Sequence, residues 1–111
     1  MDARPREITD YVAADGSIPM REWLTELRKH DKATLAVILQ RIQRLGRGLF
    51  GDCKHLGEGV WELRVHLGPG YRVYFGEDGN FLVLLHGGVK KTQERDIKVA
   101  KNYWKDYDAE A

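Results

Sequence analysis

Glu58 to Lys91 constrains the fold of this chain more than any other stretch. Three apolar runs fill it, separated by Gly68-Pro69-Gly70 and by Asp78-Gly79-Asn80. Short apolar runs cut by turn residues are the sequence form of consecutive antiparallel strands. In the first run Trp61, Leu63 and Val65 alternate with Glu62, Arg64 and His66; in the second Tyr71, Val73 and Phe75 alternate with Arg72 and Tyr74. A period of two sends each set to one face of a sheet. One face is therefore apolar and needs a cover, while the other gathers Arg64, His66, Arg72 and Tyr74. Register decides whether that gathering forms, because strand partners share a face. Pairing Arg64 with Tyr74 and His66 with Arg72 matches every face and leaves Leu67 to Tyr71 as a five-residue loop, an ordinary hairpin length. A two-residue loop at Gly68-Pro69 mismatches every face. The second hairpin has two solutions: a two-residue turn at Asp78-Gly79 pairs Tyr71 with His86, and a three-residue loop carries His86 to the Arg72 face. Both remain open at this level.

The flanking segments supply helices. Ile8, Tyr11 and Val12 precede Asp15-Gly16 and predict a short N-terminal edge strand within 6–13. Ser17 suits a helix cap and Pro19 a first turn. Met20, Trp23, Leu24 and Leu27 then follow at i, i+3, i+4 and i+7, one apolar stripe. Asp31 caps a second helix whose stripe is Leu35, Ile38, Leu39, Ile42 and Leu45, stopped by Gly46 and Gly48. The short gap between the two makes them an antiparallel hairpin. Arg41, Arg44 and Arg47 fall on the outer side of the second helix, as a solvated face or a strip for a partner or RNA. Residues 46–59 read as a Gly-rich connection holding Lys54 and His55. Thr92 caps a last helix with Ile97, Ala100, Trp104 and Tyr107 on its buried stripe. The expected fold is α+β: a mainly antiparallel four-stranded sheet, an N-terminal helical hairpin and a C-terminal helix, in one domain over 1–111. The helices are expected to cover the Trp61, Leu63, Val73 and Phe75 face and leave the Arg64 and Arg72 face open.

The totals exclude several classes of function. The 111 residues are enough to bury about two-thirds of the unfolded surface as one domain. A formal charge of +1 announces no bulk nucleic-acid binder, yet the cations cluster mid-chain and permit a local basic cleft. The lone Cys53 excludes an internal disulfide, and His30, His55, His66 and His86 match no zinc-ligand spacing. No run approaches the ~18 apolar residues of a membrane span. A cytoplasmic protein without membrane contact is the expectation.

An open face of this composition suits phosphate. Two arginines on neighbouring strands can hold one phosphate through charged, forked hydrogen bonds. Lys54, Lys90 and Lys91 flank them, and Tyr71 and Tyr74 offer rings on which bases can stack. Glu58, Glu62, Glu77 and Asp78 are scattered, so no magnesium site is expected, and no cofactor. Metal-free RNA cleavage by the substrate's own 2′-hydroxyl fits such a set. It needs a base, a cation on the phosphate and an acid for the leaving oxygen.

Several words of the sequence carry a family likeness: Phe50-Gly51-Asp52-Cys53-Lys54, Gly57-Glu58-Gly59-Val60-Trp61-Glu62-Leu63-Arg64, Gly68-Pro69-Gly70-Tyr71-Arg72-Val73-Tyr74-Phe75, Leu84-Leu85-His86-Gly87-Gly88-Val89-Lys90-Lys91-Thr92-Gln93 and Asp96-Ile97. With these the chain resembles toxins of the RelE/ParE superfamily, in the HigB-like branch of phage-derived addiction-module killer proteins. The resemblance implies the toxin of a type II toxin–antitoxin module, a metal-independent endoribonuclease that cuts mRNA, typically on the ribosome, and arrests translation. It implies a cognate antitoxin, of helix-turn-helix type by analogy, with operator DNA bound only through that antitoxin. Arg64 and Arg72 match as phosphate and transition-state holders, with Lys90, Lys91, Lys54 or His86 for proton transfer. Lys54, Tyr71, Tyr74 and His66 complete the set as RNA-binding residues. The chain departs from relatives that carry Cys and Asp where His86 and Val89 stand, and from others with Phe at Gly88. Two alternatives stand beside this reading: a ParE-like, non-enzymatic inhibitor of DNA gyrase, and a decayed module that only binds its antitoxin or operator DNA.

Overall fold

The computed structural model describes residues 1–110. In chain order it comprises β1 (Glu7–Asp10), α1 (Pro19–His30), α2 (Lys32–Gly46), β2 (Cys53–Gly57), β3 (Val60–Val65), β4 (Tyr71–Asp78), β5 (Phe81–Val89), a single 3-10 turn (Lys90–Thr92) and α3 (Gln93–Glu110). The α+β class and the helical hairpin are as expected. The sheet, however, has five strands in the order β1-β5-β4-β3-β2, and it is mixed because β1 runs parallel to β5. The extra strand is β2, expected to be part of a loop. Its Lys54 and His55 are exposed, which breaks the apolar signature while suiting an edge, where charge discourages further pairing. Glu58 and Gly59, both at positive φ, make the tight turn that returns it to β3.

Both hairpins differ from the expected pairing. Arg64 lies opposite Arg72, Glu62 opposite Tyr74 and Val65 opposite Tyr71, two residues from the anticipated register. An even slip keeps every side chain on its face, so the gathering of polar residues survives. In the second hairpin Gly79 and Asn80 form the turn between Asp78 and Phe81, and a β-bulge then intervenes: Phe75 faces Leu84 while Tyr74 faces His86. The extra residue, Leu85, reverses the alternation. This bulge places His86 on the Arg72 face without a longer loop.

A larger correction concerns the cover. The α1–α2 hairpin packs Met20, Ile38, Ile42 and Leu45 on Leu63, Val65, Val73 and Phe75, as the stripes predict. α3 lies on the other face, where Ala100, Ile97, Trp104 and Tyr107 pack on Val60, Tyr74, Val83 and Leu85. The Arg64 and Arg72 face is therefore open only at one end. Two glycines let indole rings lie flat on the strands: a Cβ at Gly87 would sit 2.3 Å from Trp23, and one at Gly76 2.3 Å from Trp104. β5 is buried on both sides, which explains its unbroken run from Leu82 to Leu85. At the helix starts, Ile18 rather than Ser17 occupies the first cap, followed by Pro19. Asp31 caps α2 by accepting from Thr34 N at 3.0 Å. Among the described residues no helix is long and apolar enough to cross a membrane.

Candidate phosphate-binding cleft

The uncovered end of the sheet is built on one buried carboxylate. Glu62 and Arg64 are two residues apart on β3 and so share a face. Glu62 is fully buried, and one of its oxygens accepts from Arg64 Nε at 2.6 Å. Its other oxygen accepts from Gln93 Nε2 at 2.8 Å, at the start of α3, and lies 3.9 Å from Arg72 Nε. The hydrogen bond to Glu62 raises the already high pKa of Arg64. The buried acid orients Arg64 by a hydrogen bond and stands beside Arg72 as its counter-charge, and removing it would leave buried charge uncompensated.

The two arginines are not equivalent. The Arg64 side chain is 27% exposed and that of Arg72 only 7%. Arg72 forms a wall of the site, with its Nε buried and lacking a hydrogen-bond partner. The loop closes on it at Gly70, where φ is +77° and a Cβ would come within 3.0 Å of Arg72 Nη1. Opposite Arg72 stands Gly88, whose missing side chain makes room for Asp96 of α3; a Cβ there would lie 2.0 Å from Asp96 Oδ2.

Arg64, Arg72, Lys90, Gln93, His66 and the loop Leu67 to Gly70 line an open cleft of about 520 Å³. Three cations, Arg64, Arg72 and Lys90, line the cleft and Glu62 offsets one of them, so it carries a local excess of positive charge suited to an anion the size of a phosphodiester. His66 Nε2 lies 2.5 Å from Asp52 Oδ2 at the lip. That contact is the largest of the causes holding the Asp52 carboxyl below its usual range, with Arg64 and Arg41 adding to it.

With this geometry in hand, residues 22–105 match the family model described as Phage derived protein Gp49-like (DUF891). The chain belongs to the Gp49-like family. An uncharacterized protein of Haemophilus influenzae is 46% identical over 80 residues, covering 71% of this chain and 79% of that protein. No solved structure matches. The matched span holds every residue of the Gp49-like cleft and leaves β1 outside.

Of the candidate residues, the Gp49-like fold brings Arg64, Arg72, Lys90 and His66 together. Lys91 points elsewhere, into a separate hollow of about 410 Å³ with Thr92, Glu94, Arg95 and Lys98. Lys54 is exposed on β2, opposite Glu62 but outside the cleft lining. Tyr71 packs with the hairpin core, its ring 6.4 Å from that of Trp23. Tyr74 has no exposed surface, so its ring is not presented to a base. Burial, reinforced by Glu62 and Asp96, pushes its phenol well above the ordinary value. His86 is tucked beneath α3, where Nε2 donates to the Asp96 carbonyl at 2.8 Å and the ring meets Tyr74 and Tyr103. Burial lowers its pKa and favours the neutral ring.

Sequence reasoning overlooked Glu62, Gln93, Asp52 and Asp96 as parts of the site. Glu62 was discoverable, since an acid two positions before Arg64 in a period-two strand shares its face. Gln93 was not, because 31 residues separate it from the carboxylate it binds. Among the described residues no three His, Cys, Asp or Glu side chains gather as a metal site.

Proposed function

We propose that this Gp49-like chain is the toxin of a toxin–antitoxin module, akin to the HigB-like branch of the RelE/ParE superfamily, and that it cleaves mRNA. The observation that carries the reading is the direct pairing of Arg64 and Arg72 across β3 and β4 at the mouth of a cleft completed by Lys90. A phosphodiester seated there meets the exposed edge of Arg64 and the Lys90 ammonium. Glu62 holds the Arg64 fork in place. Charge that develops on the phosphate oxygens during attack by a 2′-hydroxyl is stabilised by donors already oriented, and such a contribution is typically ~10²–10³-fold per donor. The cleft is also what an antitoxin must neutralise, so the partner is expected to bring acidic side chains to it.

One observation favours a second reading. Arg72 is almost wholly buried beside Glu62, as it would be in a purely structural pair, and a toxin acting by binding alone, as a gyrase inhibitor does, needs no more. A cell-free translation assay with mapped mRNA ends separates the two. New ends that disappear in Arg64→Ala support cleavage. Intact message together with inhibited supercoiling by the pure protein supports the binding toxin.

A further inference from the structure

The cleft holds cations for a phosphate, and the source of proton transfer is a separate question. Of its lining side chains, the arginines and Lys90 are cations, Gln93 does not titrate, and Leu67 and Pro69 are apolar. Glu62 is buried with both oxygens engaged. Tyr74 is covered and His86 is committed to Asp96 beneath α3. That leaves the imidazole of His66, whose ring can both accept and donate a proton.

His66 is more than a surface histidine beside an acid. Asp52 is fixed by its backbone, because its carbonyl accepts from Arg64 N at 2.8 Å. Gly51, at φ +63°, turns the chain there, with Arg41 packed so closely that a Cβ would lie 2.3 Å from Nη2. The ionised Asp52 carboxylate can only accept, so the hydrogen between it and His66 sits on Nε2. That leaves Nδ1 bare, with a lone pair, on a ring that is 70% exposed at the cleft. A carboxylate that selects the tautomer and steadies the imidazolium is the arrangement that activates histidine bases elsewhere in enzymology.

We propose that His66, oriented by Asp52, is the general base that deprotonates the 2′-hydroxyl of an RNA strand bound in the cleft. The inference rests on the cleavage reading above. The 2′-oxygen bonds to phosphorus as its proton passes to His66 Nδ1. The bond from phosphorus to the 5′-oxygen breaks, and that oxygen leaves with the electron pair and takes a proton from water at the open mouth. The products are a 2′,3′-cyclic phosphate and a 5′-hydroxyl, and the imidazolium returns its proton to solvent. Arg64 and Lys90 hold the phosphate, and Asp52 is a positioning residue.

The test uses the purified full chain on a short RNA and, in parallel, on ribosome-bound message, with binding read on the same short RNA carrying 2′-O-methyl groups. The expected result for His66→Ala is a loss of about 10²–10⁴-fold in the cleavage rate with binding of the methylated RNA retained. Free imidazole restores part of that rate, and Asp52→Asn gives a smaller loss. Wild-type cleavage that His66→Ala leaves unchanged overturns the assignment while sparing the cleavage reading. So does a loss that tracks binding and ignores imidazole. A wild-type protein inert on both substrates overturns the cleavage reading and this inference together.

Discussion

The residue on which the site turns is Glu62. Its burial between Arg64, Arg72 and Gln93 makes it the part least tolerant of change. Glu62→Gln is expected to cost about 3–5 kcal/mol, measured by urea unfolding, because a buried guanidinium loses its counter-charge. Tyr74 gives the opposite expectation. Its buried hydroxyl makes no hydrogen bond of ordinary geometry but lies close to Glu62, so Tyr74→Phe is expected to change stability by no more than about 1 kcal/mol. Cleavage by that variant should match wild type; a large loss would show that the phenol reaches substrate. At this scale the sequence was informative where alternation alone decides a face, as for Arg64 and Arg72. It was silent on exposure: nothing in the spacing distinguishes the accessible Arg64 from the enclosed Arg72.

At the scale of elements, α3 shapes the function by covering most of the polar face. It is anchored by polar contacts at several points: Gln93 to Glu62, His86 to the Asp96 carbonyl, Tyr11 to Asp106 at 2.6 Å and Tyr107 to Asp78 at 2.7 Å. One of these involves a histidine whose protonation is linked to folding. Burial depresses the His86 pKa in the folded state, so the unfolded chain binds the proton more readily. The stability that neutral His86 confers is present above its unfolded value of roughly 6.5 and is lost as pH falls from there through the folded value. The protection of α3 amides, with exchange corrected for its intrinsic slowing in acid, should therefore fall below about pH 6.5, and His86→Leu should flatten that dependence. Gly76→Ala tests the same interface from the strand side. The new methyl would collide with Trp104, an overpacking expected to cost about 1–3 kcal/mol and to shift the tryptophan emission.

The same elements show why part of the fold was legible. The hairpin stripes and the apolar face of the sheet follow from periods of 3.6 and 2, which survive any even slip of register. The bulge at Leu85 has no residue signature, and β2 carries lysine and histidine where a strand pattern wants apolar side chains. The cover over the second face was signalled by the unbroken Leu82 to Leu85 run, which alternation-based reading passed over.

For the whole molecule, a formal charge of +1 means that the RNA proposed as substrate would be drawn by the local field of the cleft and not by bulk charge. Two or three neutralised phosphates give a log–log salt slope of about −1.4 to −2.1 for single-stranded RNA, and Arg64→Ala should reduce it by about 0.7. A much steeper slope would mean that the strip of Arg41, Arg44 and Arg47 also carries the strand. The most direct test of the account is sequencing of mRNA 5′ ends in cells expressing the chain without any neighbouring gene product. New ends with wild type, absent with a folded Arg64→Ala variant, are the predicted result. Arrested growth without new ends, or the same ends from Arg64→Ala, would contradict it.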